Sequence, residues 1–134
     1  MKEIYSAKMT NTGGRNGEVN SPDGTFSLKV APPGSKTENA TNPEQLFAAG
    51  FSACFNGALG VVLSREKIKA KSIISATVSL NEKEAFDYVI GVVIEGHIEG
   101  LDKDKTQELL EKAHQVCPYS KATRGNIEVT VKAV

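Results

Sequence analysis

Hydrophobic and polar positions divide the chain into strand-like and helix-like stretches. Residues 2–9 alternate Ile4, Ser6 and Lys8 against Tyr5, Ala7 and Met9, the two-residue period of a short strand. Asn11-Thr12-Gly13-Gly14-Arg15-Asn16-Gly17 follows as a loop whose glycines permit unusual backbone angles. Residues 18–20 and 25–30 flank Ser21-Pro22-Asp23-Gly24, a strong turn signal, and predict a hairpin. Residues 31–41 form a polar linker of Pro, Gly, Ser and Asn.

The linker runs into the stretch around which the chain is organised, a helix predicted over residues 43–67. Thr41 or Asn42 can cap it, Pro43 suits its first position, and Glu44 suits the positive end of its dipole. From Leu46 to Leu63 the only strongly polar side chains are Ser52 and Asn56, so the helix is expected inside a core. Small residues (Gly50, Ala53, Gly57) line one face, open to close approach by another backbone. Phe47, Phe51 and Phe55 form a stripe about 100° round, and Cys54 projects between the two.

Residues 72–80 alternate Ile74, Ala76, Val78 and Leu80 on one side and predict a half-buried strand; residues 81–85 read as a charged turn. Residues 86–98 form a long β-rich run with Gly91 and Gly96 as expected twist or bulge points, and His97 is read as a partly exposed strand residue. Asp102 caps a second helix over 103–116 with an apolar stripe of Leu109, Leu110, Ala113 and Val116. It should end at Cys117-Pro118, because proline disfavours helical geometry in the residue before it. Residues 120–125 read as a loop and 126–134 as a closing strand. The expected fold class is α+β, with mostly antiparallel strands, a long buried central helix and a second helix grouped on one face.

Length adds that 134 residues suffice for one domain, 1–134, with a real core. Sixteen basic and sixteen acidic residues leave zero formal charge, which removes the usual electrostatic grounds for binding nucleic acid or an anionic membrane surface. The one long apolar segment barely reaches spanning length and carries Asn56 and several glycines, so a membrane span is not expected. No secretory signal pattern stands at the start, and a cytoplasmic protein is expected.

Two cysteines, Cys54 and Cys117, with two histidines outside their motifs, do not make a metal framework. They are either two unrelated buried thiols or one redox couple. Arg15 alone reads as a solvated loop residue.

Together with their flanks these residues resemble the organic hydroperoxide resistance proteins, the thiol peroxidase branch of the OsmC/Ohr superfamily. The resemblance runs almost end to end. It is carried by Thr12-Gly13-Gly14-Arg15; by Asn42-Pro43-Glu44-Gln45-Leu46-Phe47-Ala48-Ala49-Gly50 with Cys54-Phe55; and by Val116-Cys117-Pro118-Tyr119-Ser120 with Ala122-Thr123-Arg124-Gly125-Asn126-Ile127. Residues 31–40 depart from the family's pattern, in which this linker is richer in Gly and Pro.

The resemblance implies an OsmC/Ohr-like fold, an intertwined homodimer, and a peroxidase that reduces organic hydroperoxides. Cys54 would be the peroxidatic cysteine and Cys117 the resolving one, with Arg15 and Glu44 activating Cys54. No bound cofactor or metal is implied; the reductant would be an external dithiol or lipoylated protein bearing dihydrolipoyl groups. Phe47, Phe51 and Phe55 suit an apolar substrate pocket. Two alternatives stand beside this reading: an osmotically induced relative with broader peroxide use, and a non-catalytic small-molecule or lipid-binding stress protein on the same fold.

Elementary chemistry adds one demand. A free thiol has a pKa of about 8.5, burial raises it, and Cys54 lies about three turns inside its helix, beyond help from the dipole. Its thiolate needs a cation, and the Arg15 loop is a suitable source. Glu44 is separated from Cys54 by about 15 Å of helical rise, so it can hold Arg15 or serve the other subunit.

Overall fold

Asn42 decides where the central helix begins. In the computed structural model, which describes all residues from Met1 to Val134, its Oδ1 accepts the Gln45 backbone N–H at 2.8 Å. Helix α1 runs from there over Pro43–Arg65. It stops short of the expected Lys67 because that residue turns left-handed, at φ 57°. The Ile68 N–H then bonds back to the Leu63 carbonyl at 2.9 Å, closing the last turn.

Contacts divide the chain into two compact units, Met1–Leu46 and Phe47–Val134. The first holds a sheet of β1 (Thr10–Thr12), β2 (Gly17–Asn20), β3 (Ser27–Val30) and β4 (Ala40–Thr41) in that order. The first two pairings are antiparallel and β3–β4 is parallel, so the linker at 31–41 ends in a short strand. The expected hairpin is β2–β3. Its turn is tied by Asp23, whose Oδ1 accepts from Ser21 Oγ (2.7 Å), the Thr25 N–H (3.1 Å) and Thr25 Oγ1 (2.8 Å). With Thr25 engaged in the turn, β3 starts at Ser27 and not at residue 25.

Residues 2–9 are not a strand: they carry no regular structure and are exposed throughout, Ile4 and Tyr5 among them. Alternation supplies the faces of a strand, but the ladder needs a partner backbone, and this chain provides none.

The second unit holds β5 (Ser72–Glu84), β6 (Asp87–Ile98) and β7 (Val129–Ala133), in the order β5-β6-β7. Strands β5 and β6 are antiparallel, β6 and β7 parallel. The charged turn expected at 81–85 is mostly strand, because Asn81 and Glu82 pair with Val89 and Tyr88. A register shift between Glu82 and Glu84 precedes a turn reduced to Ala85 and Phe86, the latter at φ 66°. Polar side chains do not break a ladder whose faces are both wet here. The closing strand is shorter than the expected 126–134.

Helix α2 (Lys103–Val116) is capped by Asp102, whose side chain accepts the Lys105 N–H at 2.8 Å. Residues 120–125, expected as a loop, lie partly in a short helix α3 (Pro118–Thr123), since Pro118 occupies its first turn and starts it. Gln107 pins α2 to β7, donating to the Val131 carbonyl (3.0 Å) and accepting from the Ala133 N–H (2.7 Å).

The core joins Phe51, Phe55, Leu59, Val62 and Leu63 of α1 with Val92, Ile94 and Ile98 of β6 and Leu109, Leu110 and Ala113 of α2. Gly96 is no bulge. A Cβ there would stand 2.5 Å from Leu110 Cδ2 and 3.0 Å from Ile74 Cδ1, so its missing side chain is what lets α2 lie on the sheet. Asn56, in the middle of α1, is tied down: Ser72 Oγ donates to its Oδ1 at 2.6 Å, fastening α1 to the start of β5. By length and composition α1 could cross a membrane, yet one face is core. Its other face, Ala49, Ala53, Gly57, Gly60 and Val61, is exposed in the chain, so the expectation of a helix buried all round is met on one side only.

Candidate active site

Cys54 projects from α1 and is half-buried; Cys117 is wholly buried at the corner where α2 ends and α3 begins. Pro118 forces that corner, holding Cys117 extended at φ −60°, ψ 123° while its N–H still bonds to the Ala113 carbonyl. The two Sγ atoms lie 3.5 Å apart, both free thiols, with Cys117 donating to Cys54. A disulfide spans about 2.05 Å, so oxidation needs an approach of only about 1.5 Å.

Burial pushes the Cys54 pKa up, and the Cys117 thiol beside it pushes the same way. The Tyr119 backbone N–H works in the opposite sense by hydrogen bonding to the sulfur, but burial dominates. The surroundings of Cys54 within this unit therefore favour the thiol over the nucleophilic thiolate.

Tyr119 does more than donate its amide. Its ring packs at 6.0 Å from Phe47 and 5.7 Å from Phe51. Gly50 makes room for it: a Cβ there would come within 3.0 Å of the phenol oxygen. Beside it opens a cavity of about 460 Å³ lined by Phe47, Tyr119, Ile90, Ile127, Thr123 and Asn126. That volume is ordinary for a small-molecule site. Of the three phenylalanines expected at a pocket, only Phe47 lines it. Phe51 backs it through Phe47 and Tyr119, while Phe55 is core, its ring 6.3 Å from that of His114. Two further helical turns carry Phe55 away from the cavity and under α2.

In the other unit Arg15 and Glu44 form a two-pronged pair, with Nη2 to Oε1 at 2.7 Å and Nη1 to Oε2 at 3.0 Å. Each stabilises the charge of the other: Arg15 holds the Glu44 carboxyl below its usual range, and Glu44 raises the Arg15 pKa. Arg15 is half exposed, at 51% of its side chain, against 16% for Glu44. The carboxylate thus fixes one edge of a guanidinium that still faces outward.

The sequence by itself assigns no role to five further residues. Tyr119 was visible only as part of a motif. Ser120 is fully buried with its Oγ 2.8 Å from His114 Nδ1, and Arg124 donates to the His114 carbonyl at 2.6 Å. Together they brace the corner that carries Cys117. Burial, then Arg124, lowers the His114 pKa, keeping the ring neutral near neutrality. Asn11 ties the Arg15 loop to itself through hydrogen bonds to Gly14 and Glu18. Nothing in the residue types marks these contacts, which arise from chain reversals.

Comparison with known proteins places the geometry in context. A family model described as OsmC-like protein matches residues 34–132. Organic hydroperoxide resistance protein OhrA of Bacillus subtilis is 46% identical over 134 residues, covering 96% of this chain and 95% of the relative. Among solved structures, the organic hydroperoxide resistance protein OhrB of Bacillus subtilis superposes with a TM-score of 0.91 at 41% identity, over 98% of this chain and 100% of that one. The organic hydroperoxide resistance protein of Elizabethkingia anophelis gives 0.89 at 44%, over 99% and 98%.

Proposed function

This chain belongs to the OsmC-like family as an organic hydroperoxide resistance protein, and from that premise we propose that it is a two-cysteine peroxidase. Two thiols at 3.5 Å, one wholly buried and one reachable, support this most strongly. The Cys54 thiolate attacks the terminal oxygen of ROOH. The O–O bond breaks, the departing alkoxide takes up the proton that the Cys54 thiol had released and leaves as ROH, and Cys54 becomes a sulfenic acid. The Cys117 thiol then attacks that sulfur, water leaves, and a disulfide forms. An external dithiol reduces it by exchange, and a dihydrolipoyl group is the reductant proposed.

Arg15 is assigned to Cys54 as the cation that favours its thiolate, with Glu44 holding the guanidinium. Burial raises the Cys54 pKa and the Tyr119 amide does not offset it, so a positive partner is required, and Arg15 stays charged at any working pH. The cavity at Phe47 and Tyr119 suits the organic part of the substrate. We assign the protein to the cytoplasm and to a homodimer, in which a second copy covers the exposed face of α1 and pairs with residues 2–9.

Thiol titration tests the core of the proposal. One equivalent of cumene hydroperoxide should remove both thiols of each chain and release one equivalent of alcohol. Retention of both thiols would leave a binding protein on this fold.

A further inference from the structure

Arg15 sits at the tip of a loop that has little of its own to hold it. The loop joins β1 to β2 between the pair Thr12↔Glu18. It contains Gly13 and Gly14, at φ 85° and 64°. Glycine has the most backbone freedom to lose, so a loop of this composition does not present a side chain in one place by itself. One short bond, the Asn16 N–H to the Gly13 carbonyl at 3.1 Å, closes the turn.

Glu44 holds the guanidinium, and one side chain fastens the loop backbone beneath it. Asn11 Nδ2 donates to the Gly14 carbonyl and to the Glu18 carbonyl, each at 3.0 Å, and Asn11 Oδ1 accepts the Gly14 N–H at 3.0 Å. A single planar amide therefore binds both backbone groups of Gly14, the residue preceding Arg15, and the strand beyond the loop. Only a carboxamide does this, since it carries two donors and an acceptor on one short stem. A serine lacks the reach, and an aspartate lacks the donors.

We propose that Asn11 is a positioning residue for the peroxidase reaction: it fastens the Gly13–Gly14 loop so that Arg15 is held against Glu44 and pre-organised to act on the thiolate. The assignment rests on the role proposed for Arg15 and adds how that role is maintained. Asn11 itself is exposed and touches no reacting atom.

The test compares wild type, Asn11→Ala, Arg15→Ala and the double variant. The readouts are alkylation of Cys54 by iodoacetamide against pH and hydrogen exchange of the loop amides; melting curves check that each variant folds. Asn11→Ala should slow alkylation at neutral pH by about threefold to tenfold. Its pH profile should move in the same direction as that of Arg15→Ala. In the double variant Asn11→Ala should add nothing, because its effect passes through Arg15. Exchange at residues 13–17 should speed up in Asn11→Ala.

An Asn11→Ala profile that overlays wild type while Arg15→Ala shifts overturns the Asn11 assignment and leaves Arg15 standing. So does an Asn11→Ala effect that persists undiminished in the double variant. If Arg15→Ala itself overlays wild type, the role of Arg15 fails and the role of Asn11 in catalysis falls with it; unchanged loop exchange in Asn11→Ala would remove the fastening as well.

Discussion

Cys117 Sγ lies 3.5 Å from Cys54 Sγ, although 63 positions separate the two residues in the chain. The contact joins the flank of one long helix to the corner between two shorter ones. It needs no rearrangement larger than about 1.5 Å to become covalent. The two sulfurs differ in one respect that matters chemically: Cys117 is fully buried and Cys54 is not.

That difference predicts different phenotypes for the two serine variants. Cys54→Ser should lose peroxide reduction altogether. Cys117→Ser should complete one oxidation of Cys54 and then stall with a sulfenic acid that proceeds to sulfinic acid under excess peroxide. Mass spectrometry after one and ten equivalents of alkyl hydroperoxide reads both outcomes. Equal loss of the first turnover in the two variants would count against the division of roles.

The thiolate requirement predicts a pH effect with a definite sign. Burial holds the Cys54 pKa up, so removing a cation that counters it raises the pKa further. Arg15→Ala should therefore slow Cys54 alkylation most at neutral pH, and the two rates should converge above the pKa of the variant. Each pKa unit corresponds to about a tenfold change in thiolate fraction on the acid side. Coincident profiles would dismiss Arg15 as the activator.

The cavity beside Tyr119 predicts selectivity. Burying about 120 Å² of an aryl or acyl group contributes about 3 kcal/mol, a factor of about a hundred. In kcat/KM, cumene hydroperoxide should exceed hydrogen peroxide by at least that factor, and Phe47→Ala should narrow the gap. Similar values for both peroxides would favour the broader, osmotically induced type of activity.

Asp23 predicts an acid-dependent term in stability. Its pKa is lowered to about 2, chiefly by the Ser21 hydroxyl and then by Thr25. A carboxyl with a depressed folded-state pKa stabilises above its unfolded value, about 3.9, and loses that contribution as pH falls through about 2. The melting-temperature difference between wild type and Asp23→Asn should be present at pH 7 and should shrink between about pH 4 and pH 2. A constant difference across that window would assign it to something other than this carboxylate.

Gly96 gives a packing prediction. Gly96→Ala places a Cβ 2.5 Å from Leu110 Cδ2, and such overpacking costs about 1–3 kcal/mol. Adding Leu110→Val should recover part of that loss in urea melts. Full stability in the single variant would mean that the Leu110 and Ile74 side chains give way to the added methyl.

How much of this was legible beforehand follows from the range of the forces involved. Helix ends marked by caps and prolines were readable because these act over three or four residues: Asn42-Pro43 starts α1, and Asp102 and Cys117-Pro118 bound α2 within a residue of expectation, whereas the end of α1 is set by the left-handed turn at Lys67, which nothing in the sequence marks. The β2–β3 turn was readable for the same reason. Strand extents were not. Residues 2–9 have the alternation but no partner, and residues 81–84 have the charges of a turn but a partner in β6. Strand is a property of two segments, and one segment's composition does not reveal the other.

The site divides along the same line. The residue types alone determined that Cys54, if reactive, needs a cation, because burial and helix position set its chemistry; whether Cys117 is its partner they left open. The resemblance supplied the candidates. Only tertiary structure decided that Cys117 approaches within 3.5 Å, that Arg15 and Glu44 meet two-pronged, and that Phe47 lines a cavity while Phe55 does not. Tyr119 and Asn11 escaped notice because their contacts come from a helix corner and a loop closure, where distance along the chain says nothing of distance in space.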